Sequence, residues 1–294
     1  LRGVAIVTKI MIVSRFAPSP NGPLHLGHAL SAIVAHDAAR DANGRALLRI
    51  EDVDAARARP ELVAEYRADM AWLGLDFDET APQSLRLNSY AEAVDRLNTD
   101  GLLYPCRCSR AEQAHEKPAA EDRHADRTTP ARCRVCRVGI GEVKDDEGSA
   151  PVAWRLDIIE AMRCTGPLTW NDVRAGPQNA RPDLLGDVVL VPKHAAAAYH
   201  LAATLDDAAD EITLVTRGQD LFAATHIHRL LQALLDLPVP QWLHHPLIRD
   251  ESGEKLSKSR FSASMADRRR SGEDGRKLAQ SLRSGKLPAG LHLS

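Results

Sequence analysis

Apolar residues fall into short runs and helical stripes that alternate along the chain. "IMIV" (10–13) and "ALLRIE" (46–51) are apolar runs of strand length. Between them, prolines at 18, 20 and 23 mark a loop, and from Leu24 apolar residues recur at Leu30, Ile33 and Val34. That spacing predicts a helix ending near Arg40, with a turn at Asn43-Gly44. "RPELVAEYRADMAWLG" (59–74) predicts a second helix, with Pro60 in its first turn, Gly74 at its stop, and Leu62, Tyr66, Met70 and Leu73 on one face. A third runs from about Tyr90 to Leu97 and stops before Gly101. Residues 106–150 break the pattern: they are polar, cysteine-bearing and rich in charge, which predicts a small insertion. Apolar runs return at "VAWRLDI" (152–158), "DVVLV" (187–191) and "EITLVTRG" (211–218), and residues 221–240 predict a helix stopped by Pro238. Strand, loop, helix, strand is the opening of a doubly wound parallel α/β sheet.

The chain has 294 residues, of which 44% are hydrophobic and 4% aromatic, so a sizeable core rests on aliphatic packing. No apolar run has the roughly 18 residues of a membrane span. The opening "LRGVAIVTKIMIV" has no small-residue cleavage site. A cytoplasmic protein with no membrane partner is therefore expected, and a monomer is favoured. The net charge of −2 hides an asymmetry: from Lys255 onward ten Lys and Arg meet three acids, a local +7 against −9 elsewhere. Such a tail predicts either a polyanion nearby or a solvated helix face.

Three stretches carry candidate chemistry. In "RFAPSPNGPLHLGHAL" (15–30), His25 and His28 stand three apart at a predicted helix start, where unpaired N–H groups favour phosphate. Gly27 leaves room for a flat group at the backbone. The spacing lacks the H-E-x-x-H of a zinc helix. In "EKLSKSR" (254–260), Lys255 and Lys258 alternate with Ser257 and Ser259, a loop able to place ammonium groups on a triphosphate. Cys106, Cys108, Cys133 and Cys136 supply four thiols, enough for a tetrahedral zinc site. Cys164 stands apart. Arg15, Glu51 and Arg217 each end a predicted strand, and in an open parallel sheet such ends converge on one crevice.

The two phosphate-type stretches, in this order and at this separation, resemble the paired HIGH and KMSKS signatures of class I aminoacyl-tRNA synthetases. "RFAPSPNGPLHLGHAL", "LLRIEDVD", "YPCRCSRAE", "AYHLAATLDD" and "RGQDL" further resemble the glutamyl-tRNA synthetase catalytic core, over residues 12–262. Only 32 residues follow Ser262, and the ending "RSGKLPAGLHL" is similar to the glutamyl-queuosine tRNA(Asp) synthetase family, which lacks an anticodon-binding domain. The resemblance implies a Rossmann-like α/β catalytic domain in two halves (1–100 and 151–262), a zinc-knuckle-like insertion (101–150) and a short basic tail (263–294). It implies ATP-dependent activation of L-glutamate, with Mg2+, and transfer to the queuosine base in the anticodon of tRNA(Asp).

The same resemblance makes Arg15, Phe16, Ala17, Pro18, Ser19, Glu51, Tyr199 and Arg217 the glutamate site. Glu51 takes the ammonium, Arg217 and Tyr199 the side-chain carboxylate, and Arg15 either acid group. It makes His25, Gly27, His28 and the loop Lys255, Ser257, Lys258, Ser259 the ATP site. The family places zinc on C-x-C, a tyrosine and a cysteine four residues later. Thr129 stands at the tyrosine position here, so Cys136 is expected as fourth ligand, with His124 the alternative. The rival readings are a truncated glutamyl-tRNA synthetase charging a tRNA 3′ end, a nucleotidyltransferase of the same superfamily and a non-catalytic RNA-binding module.

Overall fold

The computed structural model describes residues 11–108, 151–256 and 263–294. The elements of its first half are β1 (Val13–Phe16), α1 (Leu26–Arg40), β2 (Arg45–Leu48), α2 (Glu61–Leu73), β3 (Asp78–Glu79), α3 (Leu87–Thr99) and β4 (Leu103–Cys106). From residue 151 onward come β5 (Ala153–Leu156), α4 (Ile158–Thr165), β6 (Thr169–Asp172), β7 (Gly176–Asn179), β8 (Val189–Val191), α5 (Tyr199–Ala209) and β9 (Leu214–Gly218). The chain closes with α6 (Ala224–Leu234), β10 (Gln241–His245), β11 (Ile248–Asp250), α7 (Met265–Arg270), α8 (Gly275–Arg283) and β12 (Leu291–Leu293).

β3, β2 and β1 form one parallel ladder, with Val13 opposite Arg45 and Phe16 opposite Leu48. β9, β10 and β6 form another, also parallel, and β7 returns antiparallel at its edge. The two ladders meet at a seam between β1 and β9. There Thr213 N–H donates to the Val13 carbonyl at 3.0 Å, and Val13 N–H to Thr213 Oγ1 at 2.8 Å. The chain thus winds outward from the centre in both directions, which makes the seam the switch point where such sheets bind ligands. The expected α/β doubly wound class is the observed one.

Local chemistry explains most boundaries. The four residues of β1 are all buried, and Gly44 permits the crossing back to β2, since a Cβ there would sit 1.9 Å from the Ile12 carbonyl oxygen. Gly74, at φ 75°, closes α2 as expected. The strand predicted at 10–13 is displaced: it starts at Val13, Met11 is exposed, and Arg15 and Phe16 are strand residues themselves.

The C-terminal stretch is a folded layer. Leu278, Ala279 and Leu282 of α8 join Met70 and Leu73 of α2 and Ile33 of α1 in one core. Its arginines are largely met from within: Arg269 by Asp69 and Glu65, Arg270 by Glu65, Arg268 by Glu273, and Arg283 by Asp37. The sequence's charge asymmetry is therefore partly cancelled in three dimensions. No helix among the described residues is long and apolar enough to cross a membrane.

Candidate active site

A cavity of about 400 Å3 opens at the seam. Its wall includes Arg15, Phe16, Ala17, Pro18 and Ser19, then Glu51, Tyr199 and Arg217, and also His25, Gly27, His28 and Lys255. Twelve of the residues singled out from sequence thus share one wall. Ser257, Lys258 and Ser259 lie outside the described residues.

The helix start is built by the histidines themselves. His25 is the N-cap of α1, with extended backbone, and its Nδ1 accepts from Gly27 N–H at 3.1 Å. His28 Nδ1 accepts from the His25 N–H at 3.1 Å, a capping box in which imidazoles replace the usual oxygen acceptors. With both Nδ1 atoms accepting, the ring proton of each neutral imidazole sits on Nε2. The two rings are in tilted contact, with centroids 3.9 Å apart and planes 41° from parallel. The flat group laid over Gly27 is the His25 ring, because a Cβ there would meet His25 Cε1 at 2.9 Å.

Arg15 spans the seam. Its Nε and Nη2 donate to Asp207 of α5 at 2.9 and 3.2 Å, and Nη1 donates to the Thr216 carbonyl at 2.9 Å. Arg49, fully buried behind β2, donates to the same Asp207 at 2.8 Å and to Asp210 at 2.8 Å. Burial alone would raise the Asp207 pKa, but the two guanidiniums outweigh it and hold the carboxyl below its ordinary range. Glu51 shows the opposite balance. Burial pushes its pKa up against the pull of Arg49, whose Nη2 is 3.5 Å away. A substrate ammonium beside Glu51 would favour its ionised form.

Arg217 is partnered differently. Its Nη1 reaches the hydroxyl of Tyr199, the residue named with it for the side-chain carboxylate, at 3.3 Å. Its other partners are His244 Nε2 at 3.2 Å, Thr225 Oγ1 at 2.5 Å and His228 Nδ1 at 3.4 Å. Burial lowers its pKa, so its charge is poorly solvated. Burial also pushes His200 and His244 down to about 4, and His228 well below its ordinary value, so all three are neutral at physiological pH. These histidines went unrecognised in the sequence. The signal was "HH" at 244–245, at the end of a stretch too polar to read as a buried strand.

Lys255 forms an ion pair with Asp220 on the cavity wall. Away from the cavity, Cys106 and Cys108 are both buried beside Tyr104 at the end of β4. Cys133, Cys136, His124 and Thr129 lie outside the described residues, so two of the expected thiols are seen at close sequence spacing. Among the described residues no group of three or more potential metal ligands gathers. Cys164 is exposed.

Residues 11–282 match the family described as tRNA synthetases class I (E and Q), catalytic domain. The chain is 45% identical over 256 residues to the glutamyl-Q tRNA(Asp) synthetase of Rhodobacter capsulatus, covering 84% of this chain and 91% of that protein. It is 38% identical over 275 residues to the namesake from Nitratidesulfovibrio vulgaris, covering 89% and 82%. Among solved structures, the glutamate-tRNA synthetase of Elizabethkingia anophelis superposes with a TM-score of 0.67 at 25% identity. That match covers 85% of this chain, which spans 53% of the larger enzyme. Fold, seam cavity and these likenesses agree: the chain belongs to the glutamyl-Q tRNA(Asp) synthetase family of class I synthetases.

Proposed function

We propose that this chain activates L-glutamate with ATP and transfers the glutamyl group to the queuosine base in the anticodon of tRNA(Asp). The observation that carries the reading is the pairing of charges in the seam cavity: an acid, Glu51, and a buried guanidinium, Arg217, whose hydrogen-bond partners among the described residues include no carboxylate. Glutamate supplies the complementary ammonium and side-chain carboxylate. Arg15 keeps one hydrogen on each Nη after its three bonds. Those donors would be offered to a second carboxylate of the substrate.

In activation, an α-carboxylate oxygen of glutamate attacks the α-phosphorus of ATP. The bond to the bridging oxygen breaks, giving glutamyl-adenylate and pyrophosphate. No protein nucleophile is needed, so the chain's task is positioning and charge stabilisation. His25 and His28, each with its proton on Nε2, donate toward phosphate at the positive end of α1, with Gly27 giving the His25 ring its place. Lys255, Ser257, Lys258 and Ser259 hold the outer phosphates. Magnesium, when bound with the nucleotide, would supply further charge neutralisation there. A hydroxyl of the queuosine cyclopentene-diol then attacks the adenylate carbonyl, releasing AMP. Cys106 and Cys108, with Cys133 and Cys136, are proposed as a structural zinc site. Metal analysis of protein purified without chelator tests it, and a content well below one zinc per chain overturns it.

The deciding experiment incubates the enzyme with labelled glutamate, ATP and tRNA(Asp) with or without queuosine, then maps the label. Label on the anticodon fragment only when queuosine is present supports the reading. Label at the 3′ end, or equal labelling of both tRNAs, refutes it. Lys258→Ala is expected to abolish glutamate-dependent ATP–pyrophosphate exchange in folded protein.

A further inference from the structure

Three buried arginines line or back the seam, and two of them are matched by acids. Arg15 meets Asp207, and Arg49 meets Asp207, Asp210 and Glu51. Arg217 alone of the three has only neutral hydrogen-bond partners among the described residues. A neutral acceptor shell is unusual around a buried cation, because it leaves the charge uncompensated. It also has a strict requirement: every partner must present a lone pair.

For His244 that requirement is met through a second residue. Asp172 of β6 places Oδ2 2.7 Å from His244 Nδ1 and 3.1 Å from the His244 N–H. Its Oδ1 accepts from the backbone N–H groups of Arg174 and Ala175 at 2.9 and 2.8 Å. The carboxylate is thus fixed by three backbone donors and is 1% exposed. Facing it, His244 Nδ1 must carry the proton, which leaves the lone pair on Nε2. That lone pair receives Arg217 Nε–H, and Thr225 Oγ1 lies 3.2 Å away. Thr225 in turn accepts from Arg217 Nη2. The other tautomer would set N–H against N–H at Arg217 and lone pair against carboxylate at Asp172. Aromatic rings of Phe222 and Trp170 hold the imidazole from the sides, with centroids 4.9 and 6.0 Å away.

We infer that Asp172 and His244 are a positioning pair for Arg217, fixing an acceptor tautomer that aims an uncompensated guanidinium at the substrate and makes the site select glutamate over glutamine. The inference rests on the proposed glutamate reading of the cavity. A carboxylate from the protein in place of His244 would neutralise Arg217 and remove the reason to prefer a charged side chain. A glutamine amide cannot supply the missing charge, and its NH2 would confront the guanidinium's donors.

The test measures glutamate- and glutamine-dependent ATP–pyrophosphate exchange, with thermal melts to confirm folding. His244→Phe keeps the ring between Phe222 and Trp170 and removes the acceptor. Its KM for glutamate is expected to rise about tenfold or more, as for loss of a hydrogen bond to a buried charge. Its kcat and KM for ATP should change far less. His244→Gln restores an acceptor oxygen near the Nε2 position and should recover most of the loss, whereas a packing role alone would make Gln worse than Phe. His244→Glu should narrow the glutamate-to-glutamine preference. Arg217→Lys separates the two layers of the argument. If it leaves the KM for glutamate unchanged, the glutamate reading of the cavity fails. If it raises that KM while His244→Phe does not, or if Phe raises the KM for ATP equally, the positioning role fails.

Discussion

Replacing Asp207 by Asn tests the claim that the seam is held by charge. Asp207 is 4% exposed and accepts three hydrogen bonds, two from Arg15 and one from Arg49. Arg49 would keep Asp210 at 2.8 Å and Glu51 at 3.5 Å, but Arg15 would lose the only carboxylate it pairs with among the described residues. Breaking a buried pair by removing one partner costs about 3–5 kcal/mol. The Asn oxygen can still accept one of the bonds, so the lower figure applies. At about 2 °C per kcal/mol for a chain of this size, the melting point should fall by ~6 °C. Glu79→Gln is the control: Arg67 and Glu79 are about half exposed, and losing that pair should cost less than about 0.5 kcal/mol. The pH dependence has a definite sign. A carboxyl whose folded pKa is lowered gives its stability above the ordinary carboxylate range and loses it as pH falls through the folded value. The gap between wild type and variant should therefore persist at neutral pH and close only below about pH 3.9. A melting point within about 2 °C of wild type at pH 7 would refute the reasoning.

Three further outcomes follow from the same structure. Gly27→Ala drives a Cβ to within 2.9 Å of the His25 ring and should lower the exchange rate with little loss of melting temperature, so an unchanged rate removes the His25 position from catalysis. The buried neutral histidines 200 and 244, with pKa values near 4 against an ordinary 6.5, bind fewer protons folded than unfolded, so stability should fall as pH drops from 6.5 toward 4. His36, raised by its bond to Asp37, opposes that fall, and the net loss should shrink in His200→Gln when melts are compared at pH 7 and pH 5. Arg269→Ala strands Asp69, which is 1% exposed, and should cost ~2 kcal/mol in denaturant unfolding, whereas Arg270→Ala, 60% exposed, should cost less than ~0.5.

Much of the site was legible because its residues sit at the ends of apolar runs. A buried parallel strand must be apolar, so a charged residue at its C-terminal end marks where the sheet meets a crevice, as with Arg15, Glu51 and Arg217. Histidines at a proline-bounded helix start were legible for a similar reason: capping is a local act, and His25 and His28 perform it within four residues. Other elements hid. α5 is rich in alanine, with no strong polar face, and β10 reads "QWLHH", so neither gave a clear period. The basic tail looked like a surface for polyanions because its acidic partners, Asp37, Glu65 and Asp69, lie about two hundred residues away or more.

By itself the sequence determined the class of sheet, the helix start at His25 and the charged ends of the strands, since all of these depend on neighbours within a turn or a strand. Only the tertiary structure decided which charges remain for a substrate. Asp207 occupies Arg15 from 192 positions away, while His244, oriented by Asp172, and Thr225 meet Arg217 with neutral lone pairs. Coulomb energy depends on distance and burial in space, and the linear chain records neither.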